Sequence, residues 1–183
     1  FHTYGFQIKY SSVIRFLVQL YLVTGNETYK CAALKAGDWS FTNAYLNMEY
    51  RGGTCDNTDI QDKEAGIYAL FGFLALYDLT QDPHWLEGAT GAADYTETWT
   101  YAWSFPVHTP WPKHPFNQYS ISGQSIITIG GGADVYMAAC SYTYYRLYLL
   151  TGDAHYLDFA QFIHKNTRQS NDIDGTSGYI MPG

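Results

Sequence analysis

An all-α fold of αα-hairpins is what this sequence predicts, on three observations. One frame is written three times: Leu20-Tyr21-Leu22-Val23-Thr24-Gly25-Asn26, Leu76-Tyr77-Asp78-Leu79-Thr80-Gln81-Asp82 and Leu147-Tyr148-Leu149-Leu150-Thr151-Gly152-Asp153, each followed three residues later by Tyr29, Trp85 or Tyr156. Every copy joins two runs whose apolar residues recur at helical spacing. In every pair the first run is nearly free of charge and the second is charged along one side. A helix apolar all round is buried all round, whereas a one-sided helix faces water. The pairs therefore read as inner and outer helices, the unit recurring with insertions of variable length.

The frame itself reads as a tight turn. Gly after a periodic run supplies the left-handed residue that ends a helix. The Asn or Asp that follows is an N-cap for the next helix, and Pro83 suits a first helical turn.

Taken in order, Ser11 or Ser12 caps a first helix to about Thr24, after an aromatic lead at 1–10. Its partner runs to about Leu46, with Lys30, Lys35 and Asp38 on one face and Cys31, Leu34, Phe41 and Tyr45 on the other. A polar loop leads to an uncharged stretch, Ala65 to Leu76, whose partner over 83–100 restores charge with Glu87, Asp94 and Glu97. The longest insertion, 101–132, holds two Trp, four Pro and two His, and closes on three Gly; Ile126 to Ile129 is a candidate short strand. Loops of this length usually carry function. The third inner helix is expected to start at Ala133, and its partner to run from Ala154 to about Arg168 with Asp158, His164, Lys165 and Arg168 outward. The hairpins are thus expected at 12–46, 64–100 and 133–168 of a single domain, 1–183, itself a fragment of a larger catalytic domain.

Composition excludes several functions. Aromatics reach 18% with 18 Tyr, against 15% charged residues and a net charge of −7. No basic run meets phosphates, so nucleic acid is not an expected partner. No stretch is long and apolar enough to span a bilayer. Three Cys allow at most one internal disulfide, no pair has metal-ligand spacing, and Cys31 and Cys140 read as small buried residues. Asn26-Glu27-Thr28 is a glycosylation sequon on a predicted turn, which suits a secreted or periplasmic protein.

The helix alternation and the Leu-Tyr-x-Leu-Thr-Gly-Asp turn resemble the six-hairpin (α/α)6 toroid shared by many glycoside hydrolases, some polysaccharide lyases and sugar epimerases. Three hairpins would be half of such a ring. The resemblance implies a carbohydrate substrate, no cofactor, and a site on the long-loop face around the inner-helix N-termini, where positive helix ends favour carboxylates.

The acids on that face are Asp56, Asp59, Asp62 and Glu64, with Asp134 at the entry to the third inner helix. Glycoside hydrolysis needs one carboxylic acid to protonate the leaving oxygen and a second carboxylate to activate water or attack. Asp59, Asp62, Glu64 and Asp134 are the catalytic candidates, expected to converge with the long loop. A capping box of Thr58 with Gln61, or Asp62 as an N-cap, explains the same residues without chemistry. The spacing misses the calcium-loop pattern. Asp56, His108, Trp111, His114, Tyr119 and Gln124 are the substrate-binding candidates, since rings stack on sugar faces. The rival on the same fold is a lyase or epimerase using His108, His114 or Tyr119 to abstract a proton. A non-enzymatic helical repeat is a third reading, opposed by the variable insertions.

Overall fold

The structure, a computed structural model, describes residues 9–52, 60–103, 122–126, 133–134 and 136–170, with side chains over 11–52, 60–103, 122–126 and 136–167. The chain forms two compact units, Phe1–Trp99 and Thr100–Gly183. The first contains α1 (Lys9–Thr24), α2 (Glu27–Ser40, continuing as a π-helical turn over Phe41–Tyr45), α3 (Lys63–Thr80) and α4 (Pro83–Glu97). The second contains β1 (Ser125–Ile126), β2 (Ala133–Asp134), a 3-10 turn (Tyr136–Cys140), α5 (Ser141–Thr151) and α6 (Ala154–Ser170).

The written frame folds into one turn, three times over. Thr24, Thr80 and Thr151 donate their hydroxyls to the carbonyls of Leu20, Leu76 and Leu147 at 2.6, 2.8 and 2.7 Å. The same hydroxyls accept the backbone N–H of Asn26, Asp82 and Asp153 at 3.2, 3.2 and 3.1 Å. Gly25, Gln81 and Gly152 take the left-handed conformation and close onto the carbonyls of Tyr21, Tyr77 and Tyr148 at 2.8, 2.7 and 2.8 Å. The side chains of Asn26, Asp82 and Asp153 then accept from the N–H of Thr28, His84 and His155 at 2.9, 3.0 and 2.9 Å, capping the next helix. Gln81 has no glycine's freedom, and its side-chain amide donates to the Tyr77 and Asp78 carbonyls instead.

Within the first unit α3 is the centre, packed on α4, on α1 and, less extensively, on α2. Small residues allow the approach. A Cβ on Gly72 would meet Ile14 of α1 at 3.1 Å, and one on Gly66 would meet the Thr96 hydroxyl of α4 at 2.6 Å. Gly88 of α4 seats Phe41 and Phe73. The π-turn swings Phe41 onto His84 (ring centroids 3.7 Å apart) and lets the Tyr45 hydroxyl donate to the Glu87 carboxylate at 3.0 Å. Ser11 and Ser40 share a buried hydroxyl hydrogen bond at 2.9 Å, fixing the start of α1 beside the end of α2. In the second unit Cys140, Tyr144 and Leu147 are buried, as are Tyr156, Ala160 and Ile163 of α6.

Three expectations need correction. Apolar composition buries most of α3, with Tyr68 open at 39%, but α1 exposes Val13, Phe16, Leu22 and Val23, and α5 exposes Tyr142, Tyr145 and Leu149. The reason is neighbours: α3 lies among α1, α2 and α4, whereas α1 packs on α2 and α3, leaving one side open. Cys31 is exposed rather than buried. Residues 133–140 do not begin a long helix. Ala133 and Asp134 are held extended by antiparallel pairing with Ile126 and Ser125, a 3-10 turn follows, and α5 starts only at Ser141. The ladder provides these backbone groups with the partners a helix would have provided.

Candidate active site

α3 has 18 residues, so its first turn lies about 27 Å from the Gln81 turn. The chain enters it through a clamped loop. Gly52 N–H donates to the Ile60 carbonyl at 2.9 Å, Arg51 bridges to Gln61, and Asp62 N–H donates to the Tyr50 carbonyl at 3.2 Å. The Tyr95 hydroxyl also donates to the Tyr50 carbonyl, at 3.3 Å, and the two rings pack with centroids 4.4 Å apart. The end of α4 thereby supports the start of α3.

Asp62 is fully buried, extended at φ −152°, and its Oδ1 accepts the Ala65 N–H at 2.8 Å. That is an N-cap: its carboxylate acts on the helix. Lys63, only 2% exposed, brings its ammonium to 3.5 Å from the Glu64 carboxylate. Glu64 remains partly open, its side chain 19% exposed in the first turn of α3. Of the four clustered acids, Asp62 and Glu64 are described; Asp56 and Asp59 fall outside the described residues, as do His108, Trp111, His114 and Tyr119.

Two side-chain atoms near this helix start are buried with no hydrogen-bond partner among the described residues: Tyr50 Oη and Arg51 Nε. The Arg51 guanidinium reaches the Glu49 carboxylate through Nη2 at 3.1 Å. Burial raises the Tyr50 phenol far above its ordinary value. Burial also pushes Tyr95 up to about 12, with the Asp62 charge adding and Trp99 opposing. Both phenols therefore stay neutral hydrogen-bond donors near neutral pH rather than bases. Nothing in the sequence pattern marks Tyr50 or Tyr95; Lys63 has one signal, its place between two acids at the head of an uncharged helix.

In the second unit, Gln124 is buried, and its carbonyl accepts from Tyr101 N–H at 3.0 Å while Gly123 N–H donates to the Tyr101 carbonyl at 2.8 Å. Asp134 lies opposite Ser125 in the β1–β2 pair, placed by its backbone and not at a helix mouth. Trp103, 63% exposed, stands edge-on to Tyr101 with centroids 6.0 Å apart. It is an open aromatic surface on a backbone fastened at both sides of Tyr101, and the sequence reading favoured Trp111 in its place. Among the described residues no group of three His, Cys, Asp or Glu could hold a metal ion, and no helix is long and apolar enough to cross a membrane.

No protein-family profile matches the sequence. No curated protein matches it significantly. Solved structures do. An inactive double Asp→Asn variant of the alpha-1,6-mannanase GH76A of Salegentibacter sp. HEL1_6, in complex with alpha-1,6-mannotriose, superposes with a TM-score of 0.58 at 18% identity. It covers 90% of this chain and 47% of its own. The corresponding double Asp→Ala variant with alpha-1,6-mannotetrose gives 0.58 at 17% identity, over the same shares. The chain spans about half the length of these structures. At such identity the likeness is one of fold, and the fold is the αα-hairpin repeat of the (α/α)6 toroid glycosidases.

Proposed function

We propose that this chain is part of a glycoside hydrolase acting on an oligo- or polysaccharide, with Glu64 as one of its carboxylates. The observation that carries the reading is the position of Glu64: partly open, in the first turn of the most buried helix, on a fold shared with two solved variants of an alpha-1,6-mannanase in complex with mannose oligomers. The ammonium of Lys63 lies 3.5 Å from the Glu64 carboxylate, at the positive end of α3. The second carboxylate of the pair would come from Asp56 or Asp59. Asp62 is then a positioning residue that holds the first turn of α3. The mannanase variants were inactivated at two adjacent aspartates, and no two aspartates are adjacent in this chain.

The test is turnover on mannan and other polysaccharides by the full-length protein. Glu64→Gln should lower kcat by about 10²–10⁴-fold with the fold intact. Products should be saturated reducing sugars. An unsaturated uronate product, lost with His114→Ala or Tyr119→Phe and kept with Glu64→Gln, would replace this reading with a lyase.

A further inference from the structure

We infer that Asn26 is a site of N-linked glycosylation, a modification independent of which reaction the fold performs. The three repeated turns act as internal controls. In all of them the residue after the left-handed position caps the next helix through one side-chain oxygen. The second and third copies use Asp82 and Asp153 for this, and an aspartate fills the structural role completely. The first copy alone has an amide there, and it alone has a hydroxyl residue two positions on, Thr28, where the others have His84 and His155. Two substitutions that the turn does not require thus coincide to form the acceptor triplet, and no other Asn-x-Ser/Thr triplet occurs in the sequence. The second copy could not form one by the same changes, because Pro83 occupies its middle position.

The geometry suits transfer. Asn26 Oδ1 accepts the Thr28 N–H at 2.9 Å, which uses the oxygen and leaves Nδ2 with no role in the cap. Asn26, Glu27 and Thr28 are exposed, Asn26 in the two-residue link between α1 and α2 and Glu27 and Thr28 in the first turn of α2. In the transfer a bond forms between Asn26 Nδ2 and the anomeric carbon of a lipid-pyrophosphate-linked sugar. The bond from that carbon to the pyrophosphate oxygen breaks, lipid pyrophosphate leaves, and one Nδ2 proton passes to the transferase. The cap oxygen is untouched, so the glycan adds to the turn without unmaking it.

The full chain, secreted from a eukaryotic cell, should carry a glycan on the peptide containing Asn26, released by peptide N-glycosidase and read by mass spectrometry. Thr28→Ala should abolish it. Asn26→Asp should abolish it as well while leaving the melting temperature unchanged, since aspartate caps the other two turns. Asp153→Asn combined with His155→Thr should introduce a second glycan. A secreted chain bare at Asn26 would overturn the inference, and so would a glycan that survives Asn26→Asp.

Discussion

At the level of single residues, two acids two positions apart do different work. Asp62 is buried and spent on the Ala65 N–H; Glu64 retains access to solvent. Asp62→Ala should therefore cost about 1 kcal/mol of stability, typical of a lost N-cap. Asp62→Asn, which keeps the acceptor, should restore most of it, with kcat following stability and not chemistry. Urea unfolding beside turnover separates these effects, and a kcat loss in Asp62→Asn as large as that in Glu64→Gln would make Asp62 a catalytic residue. Both roles were readable beforehand as alternatives, because a cap and a general base draw on the same residue types at the same place. Burial and the 2.8 Å bond establish the cap, and the kcat of Asp62→Asn tests whether Asp62 does anything more. Tyr95 gives a second, pH-dependent test. Its phenol is raised to about 12, so below pH 10 it is neutral in both folded and unfolded chains. As pH rises from 10 towards 12 the unfolded chain ionises first, and stability falls, by roughly 2–3 kcal/mol in all. Tyr95→Phe should flatten that alkaline loss. An unchanged slope between pH 10 and 12 would place the effect elsewhere.

At the level of elements, the turns were the most legible feature, because their hydrogen bonds lie within nine consecutive residues and the chain repeats them. The start of the third inner run was the least legible. Nothing local distinguishes Ala133 and Asp134 from a helix start; their extended state comes from pairing with Ile126 and Ser125. The second turn contains the one repeated position whose residue disagrees with its backbone: Gln81 sits at φ +57° where the other copies have glycine. Gln81→Gly should stabilise the hairpin by up to about 1 kcal/mol, the left-handed cost relieved exceeding the exposed side-chain bonds lost. Differential scanning calorimetry would show the rise in melting temperature, and a fall would mean those bonds outweigh the backbone cost. Close helix packing predicts the opposite sign at Gly72. Gly72→Ala improves helix propensity yet presses Ile14 and the Ser11 carbonyl at 3.1 and 3.3 Å. The core cannot open there without parting α1 from α3, so a net loss of about 1–3 kcal/mol is expected.

At the level of the whole molecule, composition foresaw an apolar inner helix more readily than it foresaw what surrounds it. α1 and α3 are both poor in charge, but α3 packs on three helices, α1, α2 and α4. In α1, Ile14 and Val18 face the other helices, with 0% and 2% exposure, while Phe16 and Val23 stand 60% and 84% exposed. One helix thus carries two apolar faces of very different energetic weight in this chain. Ile14→Ala should cost about 2–5 kcal/mol, the loss of a buried side chain plus the cavity it leaves. Phe16→Ser and Val23→Ser should each stay within about 0.5 kcal/mol, as exposed positions do. Urea unfolding of the chain as it stands reads all three. The same pair of serine substitutions in a longer protein that carries further hairpins tests what covers this face. If an additional inner helix packs on α1 as α1 packs on α3, Phe16→Ser becomes a core substitution there, and its cost rises into the range of Ile14→Ala. An equal, small cost in both contexts would mean that the open side of α1 remains open and that no neighbouring hairpin closes on it.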